Sequence, residues 1–335
     1  MCHIVPRIES PASSTAAERL AGALSSDPQT KPERRLQGLI NLYNTVLEPS
    51  AKLYILLKSL DFAKQSGLAD IMLGVVKANI DSWVPVLSLS HTDARALYLA
   101  CADSLASCTR KPRTAAKEAY RLRIKALRTY TVDDSEQGVD VAAHVVSEYI
   151  ASADLFHFDL INAPVIKRLE SSKEYADMHT MLQLLLSGTV KDFRGFVSTP
   201  AGKAVVTSCN TTEDALTSKM LLLALVGLFN RRASVSFKEI SENLDVAVKD
   251  VENLIVQAIG KKLIEAKIDQ LEETVLISKC SSRQFEQLEW QNLQKDLKEW
   301  REAISDVLSL GVDTNTTLLQ GFAKLESYSL VENTQ

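Results

Sequence analysis

Residues 234–280 read SVSFKEISENLDVAVKDVENLIVQAIGKKLIEAKIDQLEETVLISKC. Ser236 and Glu239 have the spacing of a capping box and open a short helix whose apolar face carries Phe237, Ile240 and Leu244. Val248, Val251, Leu254, Ile255, Ala258 and Ile259 trace the core face of the next helix, and Gly260 stands where a left-handed cap belongs. Ile264, Ala266 and Ile268 then alternate with Glu265, Lys267 and Asp269. Val275 and Ile277 alternate on a partner strand, across a charged turn with Glu272 and Glu273. Just upstream, Thr211 to Asp214 signals the start of a helix through Phe229, and Val235 suits a brief strand. Helix, strand, helix, helix, strand, strand is the order of a winged helix, here over 211–282.

Outward from this block the pattern is helical on both sides. Downstream, Trp290, Leu293, Leu297, Trp300, Ile304 and Val307 recur at alternating steps of three and four, a narrow apolar seam along a helix over 283–310. The tail 311–335 reads as flexible. Upstream, Leu36, Leu39, Ile40, Tyr43 and Leu47 repeat at helical steps before Pro49, and Leu53, Leu56, Leu57, Leu60 and Ala63 before Gly67. Further amphipathic stretches follow near 68–80, 92–108, 114–130 and 138–151, then shorter ones around Val165–Leu169, Met178–Leu186 and Val190–Val197. Short connections between them predict helical hairpins stacked as an α-solenoid over 33–210. Residues 1–32, with Pro6, Pro11, Pro28, Pro32 and a serine cluster, read as a disordered arm. The fold class is mainly α: an α-solenoid, a winged helix and a long C-terminal helix.

The 6% aromatic content, beside abundant Leu, Ala, Lys and Glu, agrees with helix over strand. A net charge of -4 gives no general pull toward nucleic acid or anionic lipid. The 5 cysteines are scattered and form no C-x-x-C pair, the pattern of reduced thiols. The longest apolar run, Met220 to Phe229, is far shorter than the roughly 20 residues of a membrane span. No charged segment followed by an apolar core stands at the N-terminus, so the cytoplasm is the expected location and no membrane partner is expected.

The residues K-I-D-Q at 267–270, V-x-I at 275–277 and R-x-F at 283–285, followed by Trp290, Leu293, Leu297 and Trp300, resemble the PCI family. Its modules scaffold the proteasome lid, the COP9 signalosome and the translation initiation factor three complex. N-L-Y-N at 41–44 and F-D-L at 158–160 with Pro164 and Val165 resemble the branch of the m subunits of that initiation factor. The resemblance covers roughly 36–308. It implies a scaffold subunit whose partners are other PCI and MPN subunits, with the 40S ribosomal subunit and mRNA reached indirectly. Family members carry more helical sequence before N-L-Y-N, so an uncovered apolar face on the first hairpin is expected here.

The sequence carries none of the common catalytic motifs. G-x-x-x-x-G-K-[ST], G-x-S-x-G and H-E-x-x-H are all missing, and Ala201-Gly202-Lys203-Ala204 lacks the leading glycine and the hydroxyl of a phosphate loop. Catalytic residues, cofactors and metals are therefore not expected, and His91, His144, His157 and His179 read as structural or surface residues. Cys101 and Cys108, on one helical face, read as small buried apolar residues. Asp245, Lys249, Asp250 and Glu252 make the outward face of the 248–259 helix acidic, which disfavours direct DNA binding. Two candidate protein interfaces remain. One is the strand pair with Ile264, Ala266, Ile268, Val275 and Ile277; the other is the seam Trp290, Leu293, Leu297, Trp300, Ile304, Val307 and Leu308. The basic stretch with Arg113, Lys117, Arg121, Arg123, Lys125 and Arg128 reads either as a solvated helix face or as a contact for an acidic partner or ribosomal RNA. Two other readings of the whole stay open: a signalosome or proteasome-lid subunit, and a nucleic-acid-binding winged helix.

Overall fold

The computed structural model describes residues 12–230, 232–283 and 290–309. The chain up to Arg283 forms one unit; a second begins at Gln284, and of it a helix over 290–309 is described.

The first unit is mainly helical. Its helices are α1 (Ala12–Ser25), α2 (Pro32–Thr45), α3 (Pro49–Gln65), α4 (Ala69–Val86), α5 (His91–Ala106), α6 (Pro112–Leu127) and α7 (Val139–Ala151), then α8 (Pro164–Ser171), α9 (Ala176–Ser187), α10 (Val190–Val197) and α11 (Pro200–Ser208). The winged helix follows as α12 (Glu213–Phe229), β1 (Ser234–Ser236), α13 (Phe237–Leu244), α14 (Val248–Gly260), β2 (Ile264–Asp269) and β3 (Thr274–Cys280). Proline sits in the first turn of α2, α3, α6, α8 and α11, where its missing N–H costs nothing. Gly67 ends α3 at φ 71, with Leu68 N donating to Ala63 O, a left-handed cap that glycine adopts without strain.

Four details differ from expectation. Residues 12–25, read as part of a disordered arm, form α1, which packs on α2 and α3 and fully buries Ala17 and Ala21. Its small residues give a weak apolar signal yet allow close helix approach, and α1 lies on the first hairpin that was expected to be uncovered. α11 follows Pro200 in a stretch that had no assignment. Its Gly202 is pressed so closely on α10 that an added Cβ would stand 2.2 Å from Phe196 O. Thr212, not Thr211, caps α12, accepting from Ala215 N at 3.3 Å. Gly260 is the last helical residue of α14, and the left-handed position is Lys262 at φ 60. Leu263 N reaches back to Ala258 O there, and the buried Leu263 side chain anchors the turn.

Two apolar clusters fill the unit. One runs from Ala17 to Leu122. The other runs from Tyr120 to Val275 and is shared by α7–α11 and the winged helix. The packing therefore divides at α6, whereas the pattern along the chain divides near 211. Polar links cross the same join. Lys219 of α12 is buried; its ammonium donates to the carbonyls of Tyr149 and Ser152 at the end of α7 and lies 4.0 Å from the Tyr149 ring centre. Arg283, just after β3, donates to Leu185 O and Leu184 O, both at 2.9 Å, near the end of α9. Lys261 donates to Ala153 O at 2.9 Å, and Arg194 of α10 pairs with Asp245 at the end of α13.

Two outcomes are expected. Gly202→Ala should lower stability by about 3 kcal/mol, the upper part of the overpacking range, in urea denaturation. Lys219 gives a pH signature. Burial, with the charge of Lys261 adding to it, pushes its ammonium from 10.5 down to about 7. Above pH 7 the unfolded chain therefore holds a proton that the folded chain lacks, so stability rises with pH. Above pH 9 the buried Cys101 thiol, pushed by burial from 9.0 up to about 12, acts in the opposite sense. Urea midpoints should climb between pH 7 and 9, and Lys219→Met should flatten that climb. At pH 9 the variant should also be less stable by about 1–3 kcal/mol, because two buried carbonyls lose their donor.

Candidate interaction surfaces

The sheet has the order β1-β3-β2, both pairs antiparallel, so β3 is central and β1 and β2 lie at the edges. Ile268 faces Val275, and Ala266 faces Ile277 after a register shift at Glu265. The five sheet candidates differ in burial. Val275 and Ile264 are core residues, 0% and 2% exposed, and their side chains are not available to a partner. Ala266, Ile268 and Ile277 are half-buried against the same core. The alternation was read correctly, but the buried face is covered by the domain's own helices. β2 is an edge strand, and on the opposite face of the sheet Leu276 is exposed, while Leu271 at the turn is 96% exposed. The signal for Leu276 was its out-of-phase position between Val275 and Ile277.

The helix over 290–309 carries the second set of candidates. Leu293, Leu297, Trp300, Ile304, Val307 and Leu308 are all exposed, Trp300 by 71%, and Trp290 is exposed as well. The helical spacing places them along one side of the helix. On the other side stand charged residues, with Lys295 and Glu299 paired at 3.7 Å. Phe285 of the R-x-F motif lies outside the described residues. Its Arg283 is a structural clamp, held by the α9 carbonyls as described above.

The basic stretch divides into two classes. Arg121 pairs with Asp81 at 3.3 Å and with Glu118 at 3.5 Å, and Lys125 pairs with the same Asp81. Arg123 is buried between Glu148 at 2.8 Å and Asp103 at 3.7 Å. These three cations tie α6 to α4, α5 and α7. Arg113, Lys117 and Arg128 are exposed and form no ion pair among the described residues. Arg113 and Lys117 border a pocket of about 560 Å³ together with Glu148 and Asp154, and Asp154 is bound by Lys261 at 3.2 Å. The counter-charges come from other helices, and so the sequence of α6 alone, with Glu118 as its one acid, gave no sign of them.

On α14, Asp250 and Lys249 are exposed, Glu252 accepts from Gln270 at 2.8 Å, and Asp245 is turned toward Arg194. Cys101 and Cys108 are buried, and burial raises both thiols. His179 is buried in α9, and burial lowers its imidazole. Among the described residues, no three His, Cys, Asp or Glu side chains gather as a metal site, and no helix is long and apolar enough to cross a membrane.

Residues 203–279 match the PCI domain, so α12 to β3 lie almost wholly within it. The similarity extends beyond that domain. The chain is 23% identical over 310 residues to "Eukaryotic translation initiation factor 3 subunit M" of Dictyostelium discoideum, covering 91% of this chain and 75% of that protein. To the protein of the same name from Gallus gallus it is 27% identical over 282 residues, 83% of this chain and 71% of the relative. To that from Neosartorya fischeri it is 26% identical over 301 residues, 87% of this chain but 63% of the relative.

The two classes of cation should separate in a stability measurement. Arg123→Met strands Glu148 and should cost about 2–4 kcal/mol, somewhat below a fully buried pair because Glu148 keeps some solvent. Arg113→Glu and Lys117→Glu should each change stability by no more than about 0.5 kcal/mol. Equal effects in urea denaturation would contradict this division.

Proposed function

We propose that this chain is a non-catalytic scaffold subunit of the eukaryotic translation initiation factor three complex. The observation that carries the reading is that a PCI match at 203–279 coincides with similarity to subunit M along 83% or more of the chain. The architecture supports it physically. A helical array sharing one core with a winged helix holds surfaces at fixed positions, and the groups that would point to chemistry are engaged in structure: Lys219, Arg123, Cys101 and His179 are all buried.

Two contacts do the joining in this reading. A PCI or MPN neighbour extends the sheet at the β2 edge, with Leu271 and Leu276 beside the backbone. Partner helices cover the seam from Leu293 to Val307, since a lone helix with that much exposed apolar surface is a poor solution in water. The 40S subunit and mRNA are reached through these neighbours, in the cytoplasm. Direct DNA binding by the winged helix is disfavoured because Asp250 and Glu252 stand on α14 and Asp245 just before it, where a reading helix needs cations.

Affinity purification of the tagged chain at moderate salt, followed by mass spectrometry, tests the assignment. Subunits of initiation factor three should co-purify. Recovery of signalosome or proteasome-lid subunits in their place would overturn it. The double variant Leu297→Glu, Trp300→Glu should lose most of the co-purifying subunits. Its unfolding free energy in urea should stay within about 0.5 kcal/mol of the parent chain, as for an exposed surface change.

A further inference from the structure

α4 presents an outward strip that the helical array does not use. Ile71 is 50% and Val75 36% exposed, and Ala78 continues the same face at a spacing of four and three. Between them Gly74 leaves an opening, for an added Cβ would meet nothing within 4 Å. Together with α6, this part of α4 lines a groove of about 490 Å³ whose floor is Ile71, Leu73 and Gly74 and whose rim is Lys77, Arg110 and Lys111.

The charges around the groove are unequal. Asp70, inside it, is already engaged: its carboxylate accepts from Thr109 Oγ1 and Arg110 N, both at 3.0 Å. Lys77 is shared with Glu118 at 3.6 Å. The side chains of Arg110 and Lys111 are exposed and form no ion pair among the described residues. They also flank the start of α6, whose N-cap, Lys111, supplies no side-chain acceptor to the first-turn N–H groups. A carboxylate placed there meets two cations and the positive end of a helix.

We infer that the α4–α6 groove is a docking site for an acidic amphipathic helix of a partner protein. Aliphatic residues of that helix rest on Ile71, Leu73 and Gly74, and its Asp or Glu side chains meet Arg110 and Lys111. The floor decides between a protein and an RNA occupant. Single-stranded RNA is held by stacking on aromatic rings along a basic track, and this groove has an aliphatic floor and no aromatic lining residue, with Lys77 already paired to Glu118. The site is built from other residues than the β2 edge, and it stands or falls apart from the translation-factor reading.

Fluorescence anisotropy on the full chain provides the test, with three labelled probes. These are a synthetic helix with leucines at i, i+3, i+4 and i+7 and glutamates beside them, the same helix with lysines for glutamates, and an oligouridylate. The acidic helix should bind and the lysine helix should not. Arg110→Glu with Lys111→Glu should weaken binding at least about tenfold. Gly74→Trp, which fills open space and leaves the core alone, should do the same, while Leu297→Glu should have no effect. Equal binding of both helices, indifference to the Arg110/Lys111 and Gly74 variants, or no binding of the acidic helix would overturn the proposal. So would oligouridylate binding that is tighter than the helix and is lost in the Arg110/Lys111 variant, since that marks an RNA site.

Discussion

A helix that ends inside a protein leaves its last carbonyls without donors, and this fold depends on how the ends of α7 and α9 are satisfied. Both stop against the winged helix, where water has little access. Lys219 supplies donors to one and Arg283 to the other, each from an element that follows in the chain. Burial lowers both groups, yet each still donates to the carbonyls that need it, Lys219 as an amine once it loses its proton above about pH 7. Arg95 plays a similar part at the end of α6, reaching Thr129 O at 3.3 Å while stacked 3.6 Å from the Tyr130 ring. Helices α7–α11 and the winged helix thereby share one core, and Phe156, Phe158 and Leu160 belong to it, with the Phe158 ring 5.2 Å from that of Tyr149.

This join explains which parts of the molecule were legible in sequence. Elements whose apolar face is built from their own residues were found: α2 to α10 and the three strands follow the periodicity of Leu, Ile and Val within a few residues. Ser236 caps α13 as its spacing to Glu239 requires, accepting from Glu239 N at 3.3 Å. α1 and α11 were missed because alanine and glycine carry little apolar signal; what fixes them is close approach, seen in buried Ala17 and Ala21 and in Gly202 against Phe196. The Lys262 cap was missed for a different reason. A left-handed residue is tolerable at lysine when the following Leu263 is pulled into the core, which only the folded packing reveals.

The candidate surfaces show the same limit. A strand's alternation identifies two faces but not which one the domain covers for itself, so Val275 and Ile264 belong to the core and Leu276 to the surface. A run of cations on one helix identifies a basic face but not the acids brought to it by Asp81, Asp103 and Glu148 on three other helices. The seam over 290–309 keeps its residues on one side of a helix because local periodicity alone sets that arrangement.

Sorting charges by their partners also changes what the basic stretch can do. If all eight cations between Arg110 and Arg128 were free, a polyanion such as RNA would be the natural occupant. Once Arg121, Arg123 and Lys125 are spent on neighbouring helices, the remainder is discontinuous: Arg110 and Lys111 beside an aliphatic groove, Arg113 and Lys117 beside Asp154, and Arg128 alone near the end of α6. A polyanion gains from a continuous track that releases many counterions together. Separate pairs of cations, each next to apolar or acidic groups, favour short peptide-like contacts whose specificity comes from shape. The pairing of α6 with its neighbours therefore breaks what would be a continuous basic face into separate charges.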